Sequence, residues 1–296
     1  MNFGRVVTAM VTPFDQDGQV DYQKAERLID HLIANGTEGI VVAGTTGESP
    51  TLSAEEKISL LKFAVKTVNK RVPVIAGTGS NNTNGSIELT KQAELIGVDA
   101  VMLVTPYYNK PSQQGMYEHF KTIANTTSLP IMLYNIPGRT GVNLLPETII
   151  ELAQISNIVS VKEASGNLDA MTKIIRGTPS TFSLYSGDDS LTLPILAIGG
   201  TGVVSVSSHV IGNEMNEMIQ AFQQGRVTEA AILHQELLPI MQALFTAPNP
   251  TPVKAALSFI GLDVGSVRLP LIPLTDSELK FLEQQLVFTQ NRSNAG

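Results

Sequence analysis

A short apolar run that ends on a lysine and a turn stands near the middle of the chain, and it reads Asn157-Ile158-Val159-Ser160-Val161-Lys162-Glu163-Ala164-Ser165-Gly166. Its β-branched residues predict a buried strand of a parallel sheet over 158–161. In α/β barrels the chemistry lies at the carboxyl ends of the strands, which is where Lys162 is expected. Burial there disfavours a charged ammonium, and a neutral lysine amine forms Schiff bases with carbonyl carbons. Taken alone, the stretch favours the plainer interpretation that Lys162 marks the point at which a strand meets water, because most lysines are solvated.

Strand-like and helix-like segments alternate along most of the chain. The apolar runs that predict strands cover residues 6–12, 39–43, 72–76, 100–104, 130–134, 158–161, 182–185 and 202–206. Helical periodicity lies between them, and Ser53-Ala54-Glu55-Glu56 has the capping-box pattern of a helix start. Eight such units predict an α/β fold, a (β/α)8 barrel, rather than an open doubly wound sheet. No strand pattern follows His209, so we expect a catalytic barrel over 1–224 and a small helical C-terminal subdomain over 225–296.

The composition excludes several classes of function. The chain has 296 residues, of which 43% are hydrophobic, and this is enough for a large core. A net charge of -7 without a basic run argues against nucleic acid as a partner. The absence of cysteine excludes disulfides and thiolate ligands, and the four histidines lack metal-ligand spacing, so no metal site is expected. No apolar run reaches the length of a membrane span, and the N-terminus lacks a signal-peptide pattern, so we expect a cytoplasmic protein with no membrane partner.

A glycine-flanked pair of threonines follows the second predicted strand. Thr45 and Thr46 lie between Gly44 and Gly47. Backbone N–H groups and two hydroxyls in such a turn can bind a small anion such as a carboxylate. Taken alone, these residues favour the plainer interpretation of an ordinary tight turn.

Tyrosine and arginine side chains follow two later strands. Tyr134 ends the fifth predicted strand, where it can pack in the core or shuttle protons. Arg139 follows in a Pro-Gly loop, where it can bind a carboxylate or remain solvated. The adjacent pair Tyr107 and Tyr108 ends the fourth strand and is typical of an interface.

Five motifs together resemble the dihydrodipicolinate synthases of the pyruvate-lyase superfamily. They are Gly44-Thr45-Thr46-Gly47-Glu48-Ser49, Thr105-Pro106-Tyr107-Tyr108-Asn109-Lys110-Pro111, Tyr134-Asn135-Ile136-Pro137-Gly138-Arg139-Thr140-Gly141, Val161-Lys162-Glu163-Ala164-Ser165-Gly166 and Gly200-Thr201-Gly202-Val203-Val204-Ser205-Val206. The resemblance covers nearly the whole chain. It implies a lyase that condenses pyruvate with L-aspartate 4-semialdehyde in lysine biosynthesis through diaminopimelate, without a metal or an organic cofactor.

The resemblance also implies catalytic roles. Lys162 forms the Schiff base with pyruvate. Tyr134 shuttles protons and is linked through Thr46 to Tyr108, which reaches in from a neighbouring subunit. The enzyme is then a homo-oligomer, and the common family arrangement is a homotetramer built as a dimer of dimers.

Substrate-binding roles follow from the same resemblance. Thr45 and Thr46 hold the pyruvate carboxylate, and Arg139 holds the carboxylate of the semialdehyde. The backbone carbonyls of Gly187 and Val204 line the site.

Two other functions fit some of these residues. N-acetylneuraminate lyases and 2-keto-3-deoxy sugar-acid aldolases share the lysine, the tyrosine and the glycine turn, but they usually lack an arginine such as Arg139. A catalytically silent pyruvate-binding barrel is the alternative from another class.

Dihydrodipicolinate synthases that are inhibited by L-lysine carry histidines and a glutamate where this chain has Ala54, Lys57 and Gly85. The resemblance therefore implies that inhibition by lysine is weak or absent.

Overall fold

Eight parallel strands close into a barrel in chain order. The computed structural model describes residues 3–293, and side chains as far as residue 286. Each strand pairs with the next along the chain, and the eighth pairs with the first. The strands are β1 (Val6–Ala9), β2 (Gly39–Val42), β3 (Val74–Gly77), β4 (Ala100–Val104), β5 (Ile131–Asn135), β6 (Ile158–Glu163), β7 (Ser183–Ser186) and β8 (Gly202–Ser205). The predicted (β/α)8 barrel is therefore confirmed.

Helices surround the barrel and continue beyond it. They are α1 (Tyr22–Ala34), α2 (Ala54–Val68), α3 (Thr83–Ile96), α4 (Gln113–Ala124), α5 (Pro137–Thr140), α6 (Pro146–Leu152), α7 (Leu168–Gly177), α8 (Thr192–Ala197), α9 (Ser208–Gln223), α10 (Val227–Ala243), α11 (Thr251–Phe259) and α12 (Asp276–Ser293). The predicted capping box is present, because Ser53 and Glu56 bond each other's backbone N–H groups at the start of α2. The loop predicted after β5 contains the single helical turn α5, which Pro137 begins with its fixed φ.

Side chains of each strand alternate between two apolar clusters. On β5, Leu133 belongs to the outer cluster between the sheet and the helices, while Met132 and Tyr134 belong to the cluster inside the barrel. Because both faces are buried, most of the strand residues are apolar on either face, as in β3 and β4. The inner cluster closes the barrel below the carboxyl ends of its strands, so the site can form only above it.

Three helices follow the barrel and pack on it. α10 contacts α9, and α12 contacts both α10 and α11. The boundary predicted near residue 224 falls between α9 and α10, and the division into two units stays a prediction. Within the described residues, no helix has the length and apolarity that a membrane span requires.

Candidate active site

The reactive lysine and tyrosine lie side by side inside the barrel. Lys162 on β6 and Tyr134 on β5 are direct Cα partners in the sheet. Their side chains are buried, at 5% and 3% exposure. The Lys162 Nζ lies 4.3 Å from the centre of the Tyr134 ring. The amine is therefore shielded from bulk water, with a phenol as its neighbour.

Gly187 brings the end of β7 against the lysine. Its N–H donates to the Glu163 carbonyl at 2.7 Å. A Cβ at this position would lie 3.2 Å from the Lys162 Cε and 2.7 Å from the Ala164 Cβ. Only a residue without a side chain allows this approach. Val204 on β8 is also buried, in the same inner cluster as Tyr134.

A cavity of about 290 Å³ opens at the carboxyl ends of the strands. Thr45, Tyr107 and Tyr134 form part of its wall, together with two cationic side chains, Arg139 and Lys57. Lys57 is half-buried, and burial lowers its pKa below the ordinary value. The chain is acidic overall, so these two residues provide a local positive field that suits an anionic ligand.

The turn between Gly44 and Gly47 is closed by backbone hydrogen bonds. The Glu48 N–H donates to the Thr45 carbonyl at 3.1 Å, and the Ser49 N–H donates to the Gly44 carbonyl at 3.2 Å. From the loop after β1, the Thr12 hydroxyl donates to the Gly47 carbonyl at 2.6 Å. The turn is thus compact, and its predicted role in binding a carboxylate stays a prediction.

The two threonines of the turn point in different directions. Thr45 is half-buried and lines the cavity together with Tyr134. Thr46 is buried, and its hydroxyl accepts a hydrogen bond from the Asn249 Nδ2 at 2.9 Å. Among the described residues, the cavity wall includes Thr45 but not Thr46. The relay role predicted for Thr46 stays a prediction, and Thr45 is the threonine of the pair that shares the cavity wall with Tyr134.

Comparison with known proteins places this geometry in a family. The sequence profile of the dihydrodipicolinate synthetase family matches residues 2–288. The chain belongs to this family. A 4-hydroxy-tetrahydrodipicolinate synthase of Bacillus velezensis is 67% identical over 94% of the chain and 96% of its own length.

Solved structures agree with the family assignment. A dihydrodipicolinate synthase of Bacillus anthracis has a TM-score of 0.96 at 59% identity, and the match covers 97% of this chain and 98% of that one. The enzyme of Cyanidioschyzon merolae, solved with lysine bound, has a TM-score of 0.96 at 50% identity over the same shares of the two chains. The resemblance found in the five motifs is thus confirmed, and this dihydrodipicolinate synthetase family member is a lyase.

Tyr108 of this family member lies on the surface of the single chain. Its side chain is 89% exposed, and its φ of +71° is unusual for a residue other than glycine. Its neighbour Tyr107 lines the cavity. An aromatic ring held out beside the cavity is available to a second subunit.

A polar pair follows the reactive pair by one residue on each strand, and the sequence analysis did not predict a role for it. Asn135 and Glu163 are Cα partners, one residue beyond Tyr134 and Lys162. The Asn135 Nδ2 donates to the Glu163 Oε2 at 3.0 Å. Burial raises the pKa of Glu163, although hydrogen bonds from Asn135 and Ser165 oppose the shift.

This polar pair joins the loops that follow β5 and β6. The Leu144 N–H donates to the Asn135 Oδ1 at 3.0 Å, and the Ser165 N–H donates to the Glu163 Oε1 at 2.7 Å. The loop that carries Arg139 is thereby tied to the strand that carries Lys162. In the part of the chain that the structure describes, no three acidic or histidine side chains are grouped to hold a metal ion.

Proposed function

We propose that this enzyme is a 4-hydroxy-tetrahydrodipicolinate synthase that condenses pyruvate with L-aspartate 4-semialdehyde, in the branch of lysine biosynthesis that passes through diaminopimelate. The observation that carries the proposal is the buried amine of Lys162 against the ring of Tyr134, at the strand ends below a cationic cavity. No organic cofactor is needed, because the lysine itself provides the electron sink as an iminium ion.

The reaction begins at Lys162. Its amine attacks the C2 carbonyl carbon of pyruvate, and loss of water gives a protonated Schiff base. Loss of a proton from C3 then gives an enamine. The ring of Tyr134 lies 4.3 Å from the amine, and we assign the proton transfers of these steps to its hydroxyl.

Carbon–carbon bond formation follows. The enamine carbon attacks the aldehyde carbon of the semialdehyde, and the resulting alkoxide takes a proton from Tyr134. The amine of the semialdehyde then attacks C2 of the Schiff base. This closes the ring and releases the Lys162 amine.

Binding groups surround these steps. We assign the pyruvate carboxylate to the Thr45–Thr46 turn, whose backbone N–H groups suit a carboxylate. Arg139, exposed at the cavity wall, receives the carboxylate of the semialdehyde as a bidentate partner. The carbonyls of Gly187 and Val204 border the Schiff base.

The proton relay is assigned to Thr45 in place of Thr46. Thr45 lines the cavity with Tyr134, whereas the hydroxyl of Thr46 is bonded to Asn249. The relay ends at Tyr108 of a neighbouring subunit, which is supported by the exposure of that ring in the single chain. The active form is then a homotetramer made of two dimers, and we place it in the cytoplasm.

The test is turnover of pyruvate with L-aspartate 4-semialdehyde, coupled to an NADPH-dependent dihydrodipicolinate reductase. NADPH oxidation is expected with the semialdehyde and not with N-acetylmannosamine as the aldehyde. The Lys162→Ala protein is the blank. Consumption of N-acetylmannosamine alone would favour a sister aldolase, and no reaction with either aldehyde would favour the silent barrel.

A further inference from the structure

The turn that faces pyruvate is bounded on both sides by strained backbone. Ala43 has a φ of +57° and Glu48 a φ of +54°, and they directly precede Gly44 and follow Gly47. Residues with a side chain adopt this left-handed conformation only where surrounding contacts hold them in it. Contacts with other parts of the chain therefore add to the turn's own hydrogen bonds in holding this shape.

One of these contacts is a buried ion pair made by Glu48 itself. The Lys254 Nζ lies 2.7 Å from the Glu48 Oε1, and the two side chains are 3% and 1% exposed. The other carboxylate oxygen accepts the backbone N–H of Arg268 at 2.9 Å. The same ammonium donates to the Ser266 carbonyl at 2.7 Å and lies 4.2 Å from the centre of the Phe14 ring. Both charged groups are thus held from several directions.

All of these partners except Phe14 come from the segment after the barrel. Lys254 lies on α11, and Arg268 lies in the loop before α12. The same segment supplies Asn249, which bonds the hydroxyl of Thr46. The guanidinium of Arg268 also donates to the Thr51 carbonyl at 2.8 Å, just beyond the turn.

Isolation from water makes this pair sensitive to the loss of either partner. Burial lowers the pKa of Lys254 to about 8, and the neighbouring Glu48 carboxylate opposes this shift. A buried charge that loses its partner is strongly unfavourable, and the chain moves to relieve it. Glu48 adjoins the Thr45–Thr46 turn, so a shift of its carboxylate reaches the turn directly.

We infer that Glu48 and Lys254 are positioning residues, through which the C-terminal helices hold the Thr45–Thr46 turn in the shape that binds the pyruvate carboxylate. The inference rests on the proposed function, because it takes that turn as the pyruvate site. It gives the helices after the barrel a part in substrate binding, although they contribute no strand to it.

The test measures pyruvate binding without the second substrate. Borohydride reduction of the enzyme with increasing pyruvate traps the Schiff base, and mass spectrometry gives the concentration at half-saturation. The variants are Lys254→Met, Glu48→Gln and the double variant with both changes. The control is Arg71→Met, which breaks the 2.7 Å pair of Arg71 with Asp30.

In Lys254→Met and Glu48→Gln, half-saturation is expected to rise at least tenfold, while the KM for the semialdehyde changes less than twofold. The double variant contains no lone buried charge, so its Tm is expected to recover. Its half-saturation for pyruvate stays high, because the ion pair between residue 48 and α11 is still missing.

Two results would overturn the inference. One is unchanged half-saturation in folded single variants. The other is recovery of pyruvate binding in the double variant along with its Tm, which would make the pair a contributor to stability only. Absence of any trapped adduct in the unmodified enzyme would instead refute the proposed function.

Discussion

Replacement of Gly187 by alanine tests how closely the end of β7 controls the lysine. The added Cβ would lie 2.7 Å from the Ala164 Cβ and 3.2 Å from the Lys162 Cε. Carbon atoms in contact prefer about 3.5–4.0 Å, so the first contact overlaps by roughly 1 Å. Gly187 has no positive φ, so the backbone itself accepts alanine and the clash is the whole effect.

Both stability and rate are expected to fall. Overpacking of this kind costs about 1–3 kcal/mol, which corresponds to a decrease in Tm of about 2–10 °C. The Lys162 amine must also move by several tenths of an ångström. A displacement approaching 1 Å at a reacting atom reduces the rate by about 10²-fold, so we expect kcat to fall about 10- to 100-fold.

The assay is the coupled NADPH reaction at saturating substrates, with Tm by differential scanning fluorimetry. Gly85→Ala is the matched control, since an added Cβ there meets nothing closer than 3.7 Å. In the double variant Gly187→Ala/Ala164→Gly the severe contact is gone, so most of the Tm should return while part of the loss in kcat persists. Unchanged kcat in Gly187→Ala, or an equal loss in Gly85→Ala, would refute the reasoning.

Three further predictions concern the mouth of the site and the core. Arg139→Ala should raise the KM for the semialdehyde about 10- to 100-fold and leave that for pyruvate unchanged, because one charged hydrogen-bonded partner is lost; equal effects on both substrates would contradict the assigned role. L-Lysine should inhibit only at or above millimolar concentrations, because the cationic Lys57 repels its ammonium, and half-inhibition at micromolar lysine in a steady-state titration would exclude this. Burial lowers the pKa of His209 to about 4, and its ring accepts a hydrogen bond from the Val11 N–H at 3.2 Å. As pH falls below about 6.5, His209 is therefore protonated in the unfolded chain at a higher pH than in the folded chain. About 3 kcal/mol of stability should therefore be present above pH 6.5 and lost towards pH 4, and the decrease in Tm over this range should be smaller in His209→Gln.

The barrel could be predicted because its determinants are local. Eight apolar runs at regular spacing leave few alternatives, and Lys162 and Tyr134 stand at the ends of such runs. Strand limits differ by a few residues: the first strand was predicted over 6–12, but β1 ends at Ala9. The apolar run continues to Thr12, whereas hydrogen bonding to β2 extends only one residue past Ala9, to Met10.

Parts of the site depend on contacts that periodicity does not encode. Which of the adjacent residues Thr45 and Thr46 faces the cavity is decided by the left-handed backbone around them and by Asn249, about 200 residues away in sequence. The only local signal for Asn249 is its place between Pro248 and Pro250, which is typical of a rigid loop. The pairing of Glu48 with Lys254 has no local signal.

The direct Cα pairing of Tyr134 with Lys162 has an evolutionary consequence. The separation of these two side chains is fixed by the spacing of neighbouring hydrogen-bonded strands, which is nearly the same in every sheet. Arg139, in contrast, belongs to a single helical turn in a loop, and loops accept changes in length and sequence. Descendants of such a chain can therefore exchange the aldehyde they accept by altering one loop, while the step that activates pyruvate passes on unchanged.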